Sequence, residues 1–277
     1  MIHTTPHYRR IACLCTEAVE TLYLLGAEEL VAGISGFTVY PPEARQQKPK
    51  ISGFSSGKLE KILAVEPDLV VGYSSLQSDM LKEVAEAGVD ILHFNHHNVD
   101  GVLRMVRVLG SLTGRLHAAE LLCEQLEGQI SAARLESAAR DAAGLPRPLV
   151  YFEEWHDPII SGIGWVGELI ALAGGRDAFA ELAGHARAKQ RIVADPQTVI
   201  DRQPDLMVGS WCGKRFRPET VLERDGWQHV PAVRNAERGH IIEIKSADIL
   251  APGPTLITRG LPQLQALIRQ WHEDRAG

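Results

Sequence analysis

The sequence lacks several features that would assign it quickly to a functional class. Its four cysteines form no C-x-x-C pair, so a zinc knuckle is not expected, and they are predicted to be small core residues. No apolar run approaches the roughly 18 residues of a membrane span, and no secretory signal is visible at the N-terminus. The net charge of −6 and the shortness of the basic runs argue against a nucleic-acid partner.

Patterns typical of catalysis are also missing. Neither a Ser-His-Asp arrangement nor a pair of carboxylates has recognisable spacing, so an enzyme is not predicted. The segment Gly162-Ile-Gly-Trp-Val-Gly167 does spell the dinucleotide fingerprint G-x-G-x-x-G. That fingerprint needs its first glycine at the end of a strand, and the nearest predicted strand covers 149–152. An NAD-type α/β enzyme is therefore the minor alternative.

The sequence does contain an internal repeat. Residues 65–74 read VEPDLVVGYS and residues 202–211 read RQPDLMVGSW, so a proline, an aspartate, a leucine, a valine and a glycine recur in register. The two copies are too far apart for a solenoid repeat. The repeat predicts two lobes of similar build, each with a buried strand at its centre.

Strand and helix signals alternate in both halves of the chain. Strands are predicted over 11–15, 31–34, 69–72, 91–94, 149–152, 206–209 and 241–244. Helices are predicted over 16–25, 59–65, 80–87, 165–173, 196–202 and 256–271. Such alternation is typical of parallel sheets covered by helices.

Between the two halves, apolar residues recur at helical spacing over roughly 115–141 without a proline. The predicted fold class is therefore α/β, with two Rossmann-like lobes, mostly parallel sheets and a single long helix that joins them. The expected boundaries are 9–114 for the N-terminal lobe, 115–143 for the helix and 147–277 for the C-terminal lobe.

Six short motifs follow one another in an order found in a known family. They are Thr16-Glu17, Leu25-Gly26, Tyr40-Pro41-Pro42-Glu43-Ala44, Leu59-Glu60-Lys61-Ile62, Pro67-Asp68-Leu69-Val70 and Ala87-Gly88-Val89. With these motifs the chain resembles the helical-backbone (class III) periplasmic solute-binding proteins of ABC importers for cobalamin, siderophores and haem, above all the members that bind vitamin B12. The resemblance extends from residue 9 to about 270. It implies a non-enzymatic protein that holds its ligand in a cleft between two lobes.

The resemblance also implies where the ligand is contacted. Aromatic residues expected on loops at the cleft are Tyr40, Phe54, Tyr73, Trp155, Trp165 and Trp211. Aromatic faces and a few hydrogen bonds suit a large, flat ligand of mixed polarity. A corrinoid is therefore the predicted ligand, with haem or a ferric siderophore as the alternative, and no cofactor is required.

In this family each lobe presents a glutamate to the transporter. Glu60 matches the first position, whereas the second is occupied by Gln197. The expected partners are thus a small-molecule ligand and, with one docking charge missing, the membrane subunits of an ABC importer; the protein is expected to be a monomer. The family implies the periplasm, while the missing signal leaves a cytoplasmic carrier as an alternative.

Histidines raise the question of a metal. His93, His96 and His97 lie close together in sequence, but no acidic or cysteine ligand has a fixed spacing to them, so a solvated loop is the simpler interpretation. His156, in the segment Glu153-Glu-Trp-His-Asp157, is a second imidazole that could bind haem iron or corrinoid cobalt. No metal site of the protein's own is predicted.

Overall fold

The computed structural model of the protein describes residues 5–276, and these divide into two units. Unit 1 contains residues 5–96 and 100–127, and unit 2 contains residues 97–99 and 128–276. Each unit is an α/β structure with a mostly parallel sheet, which confirms the predicted fold class.

Unit 1 is built on five strands. They are β1 (Ile11–Cys13), β2 (Val31–Ser35), β3 (Lys50–Ser52), β4 (Leu69–Tyr73) and β5 (Asp90–Phe94). All neighbouring pairs are parallel, in the order β3-β2-β1-β4-β5. The central strands β1 and β4 are buried at every residue, as their unbroken apolar composition predicts for strands covered on both faces.

Five helices accompany this sheet, and all of their residues except Val99 belong to unit 1. They are α1 (Thr16–Leu24), α2 (Ala44–Gln47), α3 (Leu59–Leu63), α4 (Ser78–Glu86) and α5 (Val99–Leu112). On one side of the sheet, Met80, Leu81 and Val84 of α4 pack against Ala12 and Val70 of the strands. Helix α5 was not predicted, whereas α1 starts at Thr16 as predicted, with Cys15 at its N-cap position.

One long helix, α6 (Leu116–Ala142), follows α5. Its bounds agree with the predicted helix to within a residue, and its 27 residues correspond to about 40 Å. Its residues up to 127 belong to unit 1 and the remainder to unit 2. Within residues 5–276, no helix is both long enough and apolar enough to span a membrane.

Unit 2 contains a second five-stranded sheet. Its strands are β6 (Leu149–His156), β7 (Ile159–Ser161), β8 (Arg176–Asp177), β9 (Leu206–Gly209) and β10 (Ile241–Glu243). The path is β10-β9-β6-β7, and β8 pairs with the start of β6. Only the pairing of β7 with β6 is antiparallel among these strands. The core includes Tyr151, Phe179 and Trp227.

The helices of unit 2 are mostly short. They are α7 (Gly164–Ala173), α8 (Ala180–Ala183), α9 (Gln197–Arg202), α10 (Pro218–Leu222), α11 (Pro231–Arg234), α12 (Ser246–Ile249) and α13 (Leu261–Ala276). The closing helix was predicted from residue 256, but residues 256–260 form a π-helical turn before α13. Pro262, the second residue of α13, has no backbone N–H, so the regular hydrogen-bond ladder cannot run through it.

The internal repeat is also a repeat of hydrogen bonds. The Asp68 carboxylate accepts from the backbone N–H of Arg10 at 2.9 Å, one residue before β1 begins. The Asp205 carboxylate accepts from the backbone N–H of Leu149 at 2.8 Å, where β6 begins. In both units the aspartate that precedes a central strand therefore fixes that strand's register against its neighbour.

Backbone conformation repeats as well. Glu66 and Gln203, each directly before the proline of the repeat, have φ angles of 46° and 51°. This left-handed region disfavours side chains with a Cβ. The same uncommon turn is thus used twice, at equivalent positions, to bring the chain from a short helix into a central strand.

Cysteine placement agrees only in part with the prediction. Cys13, Cys15 and Cys123 are buried and reduced, as expected for small core residues. Cys212 is exposed, so the prediction of a core position is wrong for it. The reason is local: Cys212 follows β9 in a loop whose buried aromatic side chains are Trp211 and Phe216.

Candidate functional site

Four large exposed apolar side chains lie beyond the carboxyl ends of strands of unit 1. Phe37 and Val39 follow β2, Phe54 follows β3 and Leu76 follows β4, with exposed fractions of 58%, 39%, 37% and 58%. The Phe37 ring lies against Gly53, so the first two of these loops are in contact. Ligands bind at this edge in open parallel sheets. We call these four residues the apolar edge.

Sequence reasoning identified only Phe54 of the apolar edge. Phe37, Val39 and Leu76 were missed, although a large apolar residue just beyond a predicted strand is a signal that could have found them. Tyr40 lies on the loop after β2 as predicted, and it is half-buried.

A buried glutamine holds the loops of this edge together. The side chain of Gln77 is fully buried, and its amide nitrogen donates to the carbonyl oxygens of Leu14 at 3.0 Å and Phe54 at 2.7 Å. Its amide oxygen accepts from the backbone N–H of Tyr73 at 2.9 Å. The repeat glycine Gly72 leaves room for this amide, because a Cβ there would lie 3.0 Å from its oxygen. One side chain therefore connects segments that follow β1, β3 and β4.

Tyr73 does not lie on a loop, so its predicted position is wrong. It is the last residue of β4, only 4% exposed, and its hydroxyl donates to the carbonyl oxygen of His96 at 2.6 Å. Burial, reinforced by the nearby Glu17 carboxylate, raises the pKa of the Tyr73 hydroxyl. The neutral phenol thus anchors the segment that follows β5.

In unit 2 the three predicted tryptophans have different surroundings. Trp155 lies within β6 rather than on a loop and is half-buried. Trp165 is in the first turn of α7 and is buried, with its indole N–H donating to the carbonyl oxygen of Ile249 at 3.0 Å. Trp211 does lie on the loop after β9, but it is only 3% exposed.

Two of these tryptophans meet through a histidine. The His156 ring stacks on Trp211 with centroids 4.1 Å apart and contacts Trp155 at 5.0 Å. We call Trp155, His156 and Trp211 the aromatic cluster. Burial and the adjacent Lys214 ammonium lower the pKa of His156, which favours the neutral imidazole. Trp165 is not part of this cluster, and its ring stacks instead with His97.

The buried carboxylate of Glu153 forms a hydrogen bond with the aromatic cluster. Glu153 has no exposed side-chain surface, and it accepts from the Trp211 indole at 3.1 Å and from the Tyr151 hydroxyl at 2.8 Å. Arg224 donates to both of its oxygens, at 2.7 and 2.9 Å. Sequence reasoning missed Arg224, because its spacing from Glu153 carries no signal.

The three histidines near the end of β5 each contact a different part of the protein. His93 contacts the carbonyl oxygen of Ser74 at 3.0 Å, His96 is buried beside Tyr73, and His97 stacks with Trp165. Across residues 5–276, no group of three or more His, Cys, Asp and Glu side chains is arranged to hold a metal ion.

The glycine-rich segment at 162–167 needs a correction. Strand β7 ends directly before Gly162, so the argument that no strand precedes this glycine is wrong. However, β7 is antiparallel to β6 and is not the first strand of a parallel β-α-β unit. Packing accounts for two of the glycines, since a Cβ at Gly164 would lie 2.6 Å from the His97 carbonyl oxygen and one at Gly167 would lie 3.0 Å from the Asp177 carboxylate.

The two positions expected to face a transporter are both on the surface. Glu60 is exposed on α3, and Gln197 is exposed at the first residue of α9. The Gln197 amide donates to Asp201 at 2.8 Å on the same helix.

Comparison with known proteins gives consistent matches over almost the whole chain. The sequence model of the periplasmic binding proteins matches residues 11–247. A cobalamin-binding protein of Halobacterium salinarum is 25% identical over 250 residues, which are 90% of this chain and 66% of that protein. A vitamin B12-binding protein of Vibrio campbellii is 23% identical over 88% of this chain and 84% of its own. The chain thus spans slightly less than two thirds of the haloarchaeal relative.

Solved structures of similar fold include proteins with two different ligands. The periplasmic heme-binding protein RhuT of Roseiflexus sp. RS-1 has a TM-score of 0.78 and 26% identity, covering 98% of this chain and 99% of its own. The periplasmic vitamin B12-binding protein BtuF of Vibrio cholerae has a TM-score of 0.77 and 17% identity, covering 96% and 98%.

Proposed function

This chain belongs to the periplasmic binding protein family, and from that premise we propose that it binds a corrinoid of the cobalamin class for import by an ABC transporter. As a member of this family it is a substrate-binding protein and not an enzyme. The NAD-type alternative is therefore discarded.

The apolar edge of unit 1 is the observation that carries the proposal. Large apolar side chains exposed together on a soluble unit are typical of a surface that a ligand or partner covers. The flat face of a corrin ring would cover Phe37, Phe54 and Leu76 and remove them from water. The relatives named for cobalamin or vitamin B12 support the same ligand class.

The alternative ligands are a ferric siderophore and, as the second candidate, haem. The similarity to a heme-binding protein, at 26% identity over almost the whole chain, favours it. A haem is also flat and largely apolar, so the apolar edge by itself does not discriminate between the two rings.

Titration with cyanocobalamin and with haemin tests the proposal. Calorimetry or a shift of the visible bands is expected to show saturable binding of cyanocobalamin with a Kd of about 1 μM or lower. Phe54→Ala is expected to weaken this binding about fivefold or more, because an exposed ring that the ligand would bury is lost. Leu135→Ala, which removes an exposed side chain on α6, is the control and should leave affinity unchanged. Saturable binding of haemin without any of cyanocobalamin would select the second candidate.

We also propose that the partner is the membrane subunits of an ABC importer, with Glu60 as the docking carboxylate and the periplasm as the compartment. Tyr40, Phe54, Tyr73, Trp155, Trp165 and Trp211 remain the proposed ligand contacts. The side chains of Tyr73, Trp165 and Trp211 are nearly buried within their own units, so a ligand would contact only their few exposed atoms.

Docking is tested by uptake in cells that depend on this protein. Glu60→Ala is expected to reduce cobalamin uptake several-fold while purified protein keeps its ligand affinity, because a charge that pairs with transporter arginines is removed. Gln197→Glu is expected to increase uptake by supplying the second carboxylate. Glu124→Ala changes another exposed glutamate, on α6, and should have no effect. Unchanged uptake in both test variants would favour a soluble carrier.

A further inference from the structure

Lys214 contacts the aromatic cluster and forms no ion pair with a carboxylate among residues 5–276. The Lys214 ammonium lies 5.5 Å from the Trp211 ring centroid, 5.7 Å from the Trp155 centroid and 3.2 Å from Nε2 of His156. The residue is exposed, and no carboxylate within residues 5–276 forms an ion pair with it. Its positive charge is thus oriented by aromatic faces and remains unneutralised.

The loop that carries Lys214 is fixed on both sides. Its backbone N–H donates to the Trp211 carbonyl oxygen at 3.3 Å in a turn that uses the positive φ of Gly213. Two residues later the buried Phe216 ring occupies the space over the repeat glycine Gly209. The backbone that carries the lysine is therefore ordered before any ligand arrives, which lowers the entropy cost of binding.

Two of the three nearby acids are already engaged by arginines. Glu153 is bound on both oxygens by Arg224, and Glu154 pairs with Arg191 at 2.6 Å. Asp157 is exposed and lies close enough to influence His156, but it does not pair with Lys214. Neither Glu153 nor Glu154 is therefore available to neutralise the Lys214 ammonium.

The geometry points to a subsite for an anionic oxygen group at the rim of a flat ligand, in which Lys214 binds the anion and Trp155 and His156 flank it. This inference rests on the proposed function. The ammonium has three N–H donors, and one is directed to His156. The others are free for phosphate or carboxylate oxygens. Such a group could be the phosphodiester of a cobalamin or the carboxylates of a haem.

Three ligands distinguish these sources. Cyanocobalamin carries one phosphodiester, dicyanocobinamide has the same ring without it, and haemin carries two carboxylates. Lys214→Met is expected to weaken about tenfold the binding of whichever anionic ligand the wild type binds, cyanocobalamin or haemin. The affinity for dicyanocobinamide should stay within twofold of the wild type. Lys214→Arg should retain most of the affinity. Arg215→Met, a neighbouring exposed cation on the same loop, is the matched control and should change affinity less than twofold.

Added salt should act in the same direction, weakening wild-type binding of the anionic ligand more than that of dicyanocobinamide. Equal loss for all ligands in Lys214→Met, or no loss for any of them, would overturn the subsite while leaving the proposed function intact. Failure of the wild-type protein to bind any of the three would overturn both.

Discussion

Glu153→Gln is expected to lower the free energy of unfolding by about 3–5 kcal/mol, the cost of leaving a largely buried arginine without its counter-charge. The side chain of Arg224 is 18% exposed and directs both of its donors to this carboxylate. Urea denaturation followed by circular dichroism measures the change. A domain is stabilised by only about 5–15 kcal/mol, so the variant should unfold at a clearly lower urea concentration.

Two further variants show whether the loss of stability comes from the buried Glu153–Arg224 pair or from any loss of a carboxylate charge. Glu181→Gln breaks the Arg202 ion pair, whose carboxylate side chain is 55% exposed, and should cost less than about 1 kcal/mol. The double variant Glu153→Leu with Arg224→Leu should recover part of the stability, since no charge is left buried alone. A cost for Glu153→Gln no larger than that for Glu181→Gln would refute the supporting role of Glu153.

Gln77→Leu is expected to destabilise unit 1 by about 2–4 kcal/mol, because two carbonyl oxygens and one N–H lose their partner in a site closed to water. The shape of the side chain is nearly kept, so the effect reports hydrogen bonding rather than packing. Ligand affinity should also fall, since the Phe54 carbonyl is released and the apolar edge loses its fixed arrangement.

Thermal denaturation and cyanocobalamin titration of the same variant test both effects. Gln46→Leu is the matched control: it makes the same change at an exposed position of α2 and should shift stability by less than about 0.5 kcal/mol. A Gln77→Leu protein as stable as the Gln46→Leu protein would show that the buried amide does not organise this edge.

The central strands could be predicted because their signal is strong. Strands such as β4 and β9 are unbroken apolar runs after a Pro-Asp pair, and their bounds agree within one residue. Strands β3, β7 and β8 were missed because two or three residues contain no periodicity to detect.

Helix α5 was missed for a different physical reason. Its glycines, Gly101 and Gly110, read as helix-weakening residues. In the structure a Cβ at Gly101 would collide with His96, and one at Gly110 would collide with Ala119. These glycines permit close packing, which sequence alone does not distinguish from chain flexibility.

The sequence identified the proposed contact residues by type but did not predict the orientation of their side chains. Aromatic residues near strand ends were identified, yet Tyr73 and Trp211 direct their polar atoms inward because His96 and Glu153 accept from them. Those partners lie 23 and 58 residues away in sequence. Pairings at such separations follow from the fold and leave no local pattern.

The recurring Pro-Asp-Leu segment has a consequence for how such a protein can diversify. Strand register is set at the amino ends of β4 and β9, by Asp68 and Asp205, on the side of each sheet away from the loops that would meet a ligand. The residues just past the shared glycine already differ, Tyr73-Ser74 in one copy and Ser210-Trp211 in the other. Strand register is therefore set at one end of these strands, and the proposed ligand contacts lie at the other end, so a substitution among the proposed contacts leaves the residues that set the register unchanged.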